Sequence, residues 1–190
     1  MLSLGLGLNR SAKPPKALLL DFSNDTPAAD FFNSYSVNGG ALTFTTDETI
    51  SGVTGNNFLK IVYPQIAQTG VNSDISGVRM STNLIESAAM QPGFYWQCTF
   101  DVYLEDDSAW TTGADNDVVS TVINFGGKAV KKNVNTDELV SVDTGQQQVS
   151  NPTSNFLIYF SSPGDIPGPG ATWYIRNLTV KLGKTASSIA

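Results

Sequence analysis

The feature that most constrains this chain is a strict alternation of side chains over residues 94–104. Apolar side chains occupy every second position: Trp96, Cys98, Phe100, Val102 and Leu104. The positions between them carry polar or amphipathic side chains: Tyr95, Gln97, Thr99, Asp101 and Tyr103. An extended chain points successive side chains to opposite faces. The segment is therefore predicted to be a β-strand with one face on a core and the other toward solvent or a ligand.

Other short segments with apolar alternation or buried-strand composition are separated by Gly, Asn and Pro. They predict strands at 18–22, 41–45, 58–63, 77–80, 118–125, 138–142, 155–161 and 172–182. Loops are predicted at 26–36, with a short helical turn around Ala28 to Phe32, and at 105–117 and 162–170. This spacing of strands and turns is typical of an all-β sandwich or barrel.

The last predicted strand changes phase partway along. Trp173 and Ile175 share one parity, whereas Leu178, Val180 and Leu182 share the other. A one-residue bulge near Arg176 and Asn177 would place both sets on the core side.

Composition limits the chemistry that the chain can perform. It has no histidine and a single cysteine, Cys98, so histidine-based triads, histidine-ligated metals and an internal disulfide are excluded. Cys98 is predicted to be a small buried side chain. A formal net charge of -6 disfavours nucleic acid and anionic membranes as partners. No apolar stretch is long enough to span a bilayer. We therefore predict a protein that is not an enzyme.

Four segments together resemble a known group of folds. They are Gly39-Gly40-Ala41-Leu42-Thr43-Phe44, Gly55-Asn56-Asn57-Phe58-Leu59-Lys60, the strand from Tyr95 to Tyr103, and Trp173-Tyr174-Ile175-Arg176-Asn177-Leu178-Thr179-Val180. In this order they resemble carbohydrate-binding-module-like, galactose-binding-like jelly rolls. The likeness covers about Leu18 to Leu182. It implies a two-sheet antiparallel jelly-roll β-sandwich over 17–183. Arg176 stands where the family usually has an acidic residue, which puts in doubt any role of that residue in supporting calcium.

The first sixteen residues have a different character from the body. Leucine alternates with Gly or Ser at the start, and a basic stretch then ends in two prolines. The opening residues, from Leu2 to Arg10, resemble the starts of some tailed-bacteriophage virion proteins. Residues 1–16 are predicted either as a frayed terminus or as an extended arm that adds a strand to a neighbouring subunit. In the second case the contacts with the partner come from Leu2, Leu4, Leu6, Leu8 and Arg10. Residues 184–190 are predicted to be a flexible tail.

Aromatic side chains on the non-core face of the alternating strand suggest a platform for sugar rings. The candidate glycan-binding residues are Tyr95, Gln97, Asp101, Tyr103, Trp110 and Tyr159. The alternative is that these rings cover the sheet against a loop or a neighbouring subunit.

The acidic residues of 105–117 allow a second, weaker hypothesis. Asp106, Asp107, Asp115, Asn116 and Asp117 could gather around Ca²⁺, but their spacing matches no EF-hand. A solvated acidic loop is the expected reading, so no cofactor is predicted.

Two functions remain open at this stage. The first is a structural or accessory protein of a phage particle, a capsid decoration or fibre-base protein located in the virion. It would belong to an oligomer and contact other virion proteins through the arm. The alternative is a carbohydrate-binding module that recognises a surface polysaccharide.

Overall fold

The computed structural model describes most of the body of the chain. The described residues are 18–22, 25–27, 29–37, 39–66, 68, 76–80, 91–105, 110–111, 118–151, 156–160 and 166–190. The predicted arm, residues 1–16, and the acidic residues of 106–109 and 112–117 lie outside them.

The described chain is built from strands joined by turns. The strands are β1 (Leu18–Asp21), β2 (Phe32–Tyr35), β3 (Thr43–Glu48), β4 (Phe58–Val62), β5 (Ser76–Met80), β6 (Tyr95–Glu105), β7 (Trp110–Thr111), β8 (Val118–Phe125), β9 (Lys128–Asn135), β10 (Leu139–Asp143), β11 (Gln147–Gln148), β12 (Leu157–Phe160), β13 (Ile166–Pro167) and β14 (Thr172–Gly183). Short 3-10 turns lie at Ala29–Phe31, as predicted, and at Ala186–Ser188. Within the described part of the chain, no helix has the length and hydrophobicity needed to span a membrane.

These strands form two antiparallel sheets and one short extra pair. The seven-stranded sheet has the order β10-β6-β14-β4-β3, with β1 also paired to β14 and β11 to β6. The five-stranded sheet has the order β2-β5-β12-β8-β9. Strands β7 and β13 pair with each other. The predicted two-sheet antiparallel sandwich is confirmed.

The core lies between the inner faces of the two sheets and is rich in aromatic rings. Trp96 of β6 meets Phe125 of β8 edge to face, with ring centroids 5.6 Å apart. Phe160 of β12 meets Trp173 of β14 in the same way at 5.2 Å. Each contact joins one sheet to the other, and all four rings are buried. Burial of such large side chains, at roughly 1.5–3 kcal/mol each, is the main force holding the sheets together.

The centre of the seven-stranded sheet is the pair of long strands β6 and β14. Arg176 lies opposite Asp101 and Thr179 opposite Thr99, so two residues of β14 face a single residue of β6. Asn177 adopts a positive φ of 54°, a conformation that asparagine tolerates better than most residues. Beyond this bulge, Leu178 and Val180 return to the core beside Trp173. The predicted bulge is confirmed.

Five strands lie where the sequence pattern predicts none. Three of them, β7, β11 and β13, have only two residues each, and β7 and β13 fall inside the predicted loops 105–117 and 162–170. The other two are β2 and β9. Strand β2 falls inside the predicted loop 26–36. Its four residues are too few and too polar to give a recognisable strand pattern. Strand β9 carries three lysines over eight residues. It pairs only with β8, and charged side chains are common on such edge strands. Gly126 and Gly127, with φ of 58° and 76°, join β8 to β9 in a tight hairpin.

Residues 184–190 fold back on the sandwich in place of the predicted flexible tail. Ile189 is only 1% exposed. The Ser188 hydroxyl donates to the Thr185 carbonyl at 2.7 Å, and Gln146 donates its amide to the Ala186 carbonyl at 2.9 Å. An apolar anchor and local hydrogen bonds therefore fix this end of the chain.

We predict that Ile189→Ala lowers the free energy of unfolding by about 2–4 kcal/mol, since it removes a buried branched side chain and leaves a cavity. Ser187→Ala, in the same turn but exposed, should change it by about 0.5 kcal/mol or less. Urea denaturation of both variants measures the difference. Equal midpoints for the two variants would show that the terminal turn contributes nothing to stability.

Candidate functional site

Four of the six predicted platform residues point outward from β6, on the outer face of the seven-stranded sheet. Their polar groups are already engaged within the chain. Gln97 donates its amide to Asp143 at 2.8 Å, and the Tyr103 hydroxyl donates to Asp137 at 3.2 Å. Tyr95 lies at the end of the strand, opposite Gln148 of β11. Most polar side chains on this face therefore already have hydrogen-bond partners within the chain.

The middle of the same face is covered by residues 49–57, which connect β3 to β4. Ile50 and Val53 of this segment pack on Phe58, Tyr103 and Tyr174 in a small cluster separate from the main core. Tyr103 is 9% exposed as a result. Burial, together with a hydrogen bond donated to Glu105 at 2.9 Å, raises the pKa of Tyr174 well above its ordinary value. Both rings therefore lie buried beneath the covering segment.

Asp101 fixes this cover in place. Its carboxylate accepts hydrogen bonds from Asn177 at 2.8 Å, from the Arg176 guanidinium at 3.2 Å and from Ser141 at 2.6 Å. Arg176 also donates to the Thr54 carbonyl at 3.1 Å, and its guanidinium lies 4.5 Å from the centroid of the Phe58 ring. A charged network thus ties β6, the bulge of β14 and the covering segment together.

Trp110 and Tyr159 do not join the other four candidates. Trp110 is 3% exposed, in the main core. Its ring packs edge to face on Tyr63 and Phe160, and its indole N–H donates to the Glu105 carbonyl at 3.2 Å. Tyr159 belongs to β12 of the other sheet. The six residues therefore do not form one platform, because Trp110 fills the sandwich interior and Tyr159 faces the opposite side of the molecule.

Two other predicted sites cannot be placed. The arm residues Leu2, Leu4, Leu6, Leu8 and Arg10 and the acidic residues proposed for calcium lie outside the described residues. Among the residues that are described, no group of three or more His, Cys, Asp or Glu could hold a metal ion. Cys98 is buried, and burial raises the pKa of its thiol well above the ordinary value, so this thiol is a poor nucleophile and metal ligand.

The outer face of the five-stranded sheet is the better candidate for a binding site. Strand pairing and burial place a set of side chains on it, which we call the five-stranded face: Asn33, Tyr35, Gly77, Arg79, Ser120, Val122, Asn124, Lys131, Asn133, Leu157 and Tyr159. Its floor is a third apolar cluster made by Val122, Leu157 and Tyr159, with Tyr35 packed against it. Polar side chains surround this floor, as in many ligand sites.

Two tyrosine rings converge on this floor across a glycine. The register places Tyr35 of β2, Gly77 of β5 and Tyr159 of β12 in one row. Strands that are two apart in a sheet are separated by about 9.6 Å, yet the two ring centroids are 6.2 Å apart. The rings can lean toward each other because Gly77 has no side chain. A Cβ on Gly77 would collide with the backbone of Ile158 and Tyr159.

The Tyr159 hydroxyl is oriented by its surroundings. Burial raises the pKa of Tyr159, a hydrogen bond with the Asn124 side chain lowers it, and Tyr35 raises it again. The net effect is a raised pKa, and a phenol is in any case protonated near neutral pH. The face therefore presents a neutral hydroxyl and an amide beside two ring surfaces, a combination suited to ligands that carry both hydroxyl groups and apolar C–H faces.

Sequence reasoning found one residue of this face and missed the rest. Tyr159 was predicted as a site residue, but with partners from the wrong sheet. Tyr35 sits in a segment predicted as a loop. The sequence pattern that points to this face is the alternation around β12. Phe156, Ile158 and Phe160 lie in the core. Leu157 and Tyr159 must therefore point outward.

No protein-family model matches this chain, and no curated protein matches it. Solved structures do match. The CBM22-1 xylan-binding domain of Xyn10C from Paenibacillus barcinonensis is 16% identical with a TM-score of 0.52, over 92% of this chain and 99% of that one. A xylan-binding domain from CBM 22 is 13% identical with a TM-score of 0.53, over 90% and 99%. Part of the arabinose-bound α-L-arabinofuranosidase MgGH51 is 11% identical with a TM-score of 0.51, over 89% and 27%.

These similarities establish the fold alone. The chain has the jelly-roll β-sandwich found in carbohydrate-binding modules. The likeness inferred from its sequence segments is confirmed at the level of the fold.

We predict that Asp101→Ala lowers the free energy of unfolding by about 2–3 kcal/mol, because it removes three hydrogen bonds and leaves the Arg176 guanidinium without its carboxylate. Ser141→Ala removes one of these bonds and should cost about 0.5–1 kcal/mol. Urea denaturation monitored by tryptophan fluorescence compares the variants. An Asp101→Ala midpoint equal to that of the unmodified protein would contradict the assigned role of this carboxylate.

Proposed function

We propose that this chain is a non-catalytic polysaccharide-binding domain whose ligand lies across the five-stranded face. The observation that carries the proposal is the pair of tyrosine rings, Tyr35 and Tyr159, held 6.2 Å apart over Gly77 and bordered by amide side chains. Tyr35 is the more exposed ring of this pair, whereas Tyr159 is 8% exposed. On the other sheet, the central rings Tyr103 and Tyr174 are both buried and packed against residues 49–57.

Sugar rings match this surface chemically. A pyranose presents a C–H face that packs on an aromatic ring, while its rim of hydroxyl groups both donates and accepts hydrogen bonds. Tyr35 and Tyr159 supply the rings. Asn33, Asn124 and Asn133 supply amides that can donate and accept, and all three lie on the same face.

The shape of the face favours a polymer over a single sugar. It runs across the five strands from Asn33 on β2 to Lys131 on β9, which is about 19 Å at the usual strand spacing. Asn33 and Lys131 at its two ends are exposed, whereas the floor between them is mostly buried. A face of this length can hold several sugar units of one chain.

The fold supports the same class of ligand without specifying it. Two structures with this fold are xylan-binding domains, so xylans are the first polymers to test. Catalysis is not part of the proposal. Hydrolysis of a glycosidic bond normally requires two carboxyl groups, and the described residues of the five-stranded face include no Asp or Glu.

We expect Tyr35→Ala to weaken polysaccharide binding about tenfold, since one aromatic contact contributes about 1–1.5 kcal/mol. Tyr95→Ala, on the outer face of the seven-stranded sheet, should bind like the unmodified protein. Affinity electrophoresis against xylan, arabinoxylan, mixed-linkage glucan and glucuronoxylan, followed by calorimetry on the best ligand, provides the measurement. Thermal melting confirms that each variant is folded.

Two outcomes would overturn the proposal. If the unmodified protein binds no polysaccharide in the panel, this chain is not a glycan-binding domain of the proposed class. If Tyr95→Ala loses binding and Tyr35→Ala keeps it, the ligand lies on the seven-stranded sheet, as the original platform prediction required.

The virion hypothesis keeps only its sequence basis. The comparisons give no support for a phage particle, and the leucine-rich arm lies outside the described residues. It remains a prediction that deletion of residues 1–16 leaves the sandwich folded and abolishes assembly with partner subunits. Size-exclusion chromatography with light scattering tests it, and a truncated protein that assembles like the full chain would refute it.

A further inference from the structure

The five-stranded face has a charge opposite to that of the protein as a whole. The chain carries 17 acidic and 11 basic residues, for a net charge of -6. The described residues of this face, in contrast, include the cations Arg79 and Lys131 and no carboxylate. A patch that carries positive charge and no carboxylate attracts anionic ligands even on an acidic protein.

Arg79 occupies a central position on that face. It lies on β5, with Asn33 of β2 opposite on one side and Leu157 of β12 on the other. Its side chain is half-buried, and its neighbour Leu157 belongs to the apolar floor. Lys131 lies on the edge strand β9, opposite Val122, and is exposed.

Two basic side chains on the other sheet have partners within the chain. Arg176 pairs with Asp101 at 3.2 Å, and the Lys60 ammonium lies 5.7 Å from the centroid of the Tyr174 ring. Among the residues that the structure describes, Arg79 and Lys131 form no ion pair. A guanidinium on a partly buried side chain, with no counter-charge among the described residues, would gain free energy from contact with an anionic ligand.

We infer that the polysaccharide bound by this face is acidic and carries its charge as uronic acid carboxylates. The inference rests on the proposed function and names its ligand class. The planar guanidinium of Arg79 can bind one carboxylate through two parallel hydrogen bonds. Lys131 lies three strands away in the sheet order and two residues further along the strands, about 16 Å away at the usual spacings. It contacts a second carboxylate of the same polysaccharide chain.

The residues between the two cations complete the fit. Leu157, Tyr159 and Val122 form the apolar floor, on which the sugar rings lie while their carboxylates reach the basic side chains. Two separated cations suit a polymer with widely spaced charges. A densely sulfated polymer would leave most of its charges without partners.

The experiment compares acidic polysaccharides with chemically matched neutral ones. Glucuronoxylan, polygalacturonate and alginate are each tested before and after reduction of their carboxyl groups to alcohols, with dextran sulfate as the densely charged control. For the best acidic ligand, reduction should weaken binding about tenfold, the loss expected for one charge-assisted hydrogen-bonded contact. Added salt should weaken binding of the acidic form and leave binding of the reduced form unchanged.

Matched variants assign the preference to the two cations. Arg79→Gln combined with Lys131→Gln should bind the acidic and reduced forms equally. Lys181→Gln combined with Lys184→Gln, on and just after β14 of the other sheet, changes the net charge by the same amount and should keep the preference. Lys131→Gln alone should lose part of the preference for the acidic form. Because Lys131 is exposed, this single variant should fold even if the double variant does not, and it then serves as the test.

Each remaining outcome has a distinct meaning. Equal binding of acidic and reduced polymers by the unmodified protein overturns the inference and leaves the proposed function intact. A preference that survives in folded Lys131→Gln and in the folded double variant overturns the roles of Arg79 and Lys131. Tighter binding of dextran sulfate than of every uronic acid polymer contradicts the carboxylate class. Binding to the neutral xylans or glucans of the first panel but to none of these acidic polymers overturns the inference alone. Absence of binding to every polymer of both panels overturns the proposed function itself.

Discussion

The pairing of β6 with β14 is the interaction on which the rest of this structure depends. These strands of 11 and 12 residues lie side by side at the centre of the seven-stranded sheet. The bulge at Arg176 and Asn177 resets the phase of β14, so that Trp173 and Leu178 both face the core. Without that extra residue, one half of β14 would point its apolar side chains away from the five-stranded sheet. If the half that carries Trp173 were turned outward, its contact with Phe160 would be lost.

The same bulge also determines which outer face is closed. It brings Arg176 and Asn177 to the carboxylate of Asp101, and Arg176 reaches on to the Thr54 carbonyl in the covering segment. The outward aromatic rings of the seven-stranded sheet are thus packed against the covering segment, residues 49–57. On the five-stranded sheet, Gly77 lets Tyr35 and Tyr159 approach each other, and Arg79 lies beside them without an ion pair in the described part of the chain. The two outer faces of the sandwich therefore differ in how their aromatic rings are packed.

Local alternation made most of the fold predictable. It located β6, β8 and β14 closely and required a bulge in the last strand. It failed for β2 and β9, whose short or lysine-rich patterns resemble loops and become strands only through pairing with β5 and β8. The candidate site was harder to predict. Strand order decides which side chains from different strands share a face, and local alternation does not reveal that order. Tyr159 and Tyr103 have equivalent positions in their own strands, but they lie on opposite sides of the sandwich. Trp110 gave no local signal that its ring turns into the core.

The most direct test of the account is an NMR titration of the uniformly ¹⁵N-labelled full chain with a glucuronoxylan oligosaccharide. If the five-stranded face is the binding surface, the amide resonances of Tyr35, Arg79, Asn124 and Tyr159 will shift progressively to saturation. Those of Tyr95 and Gln97 will remain in place. Saturable shifts confined to Tyr95, Gln97 and their neighbours on the seven-stranded sheet would contradict the assignment of the binding face.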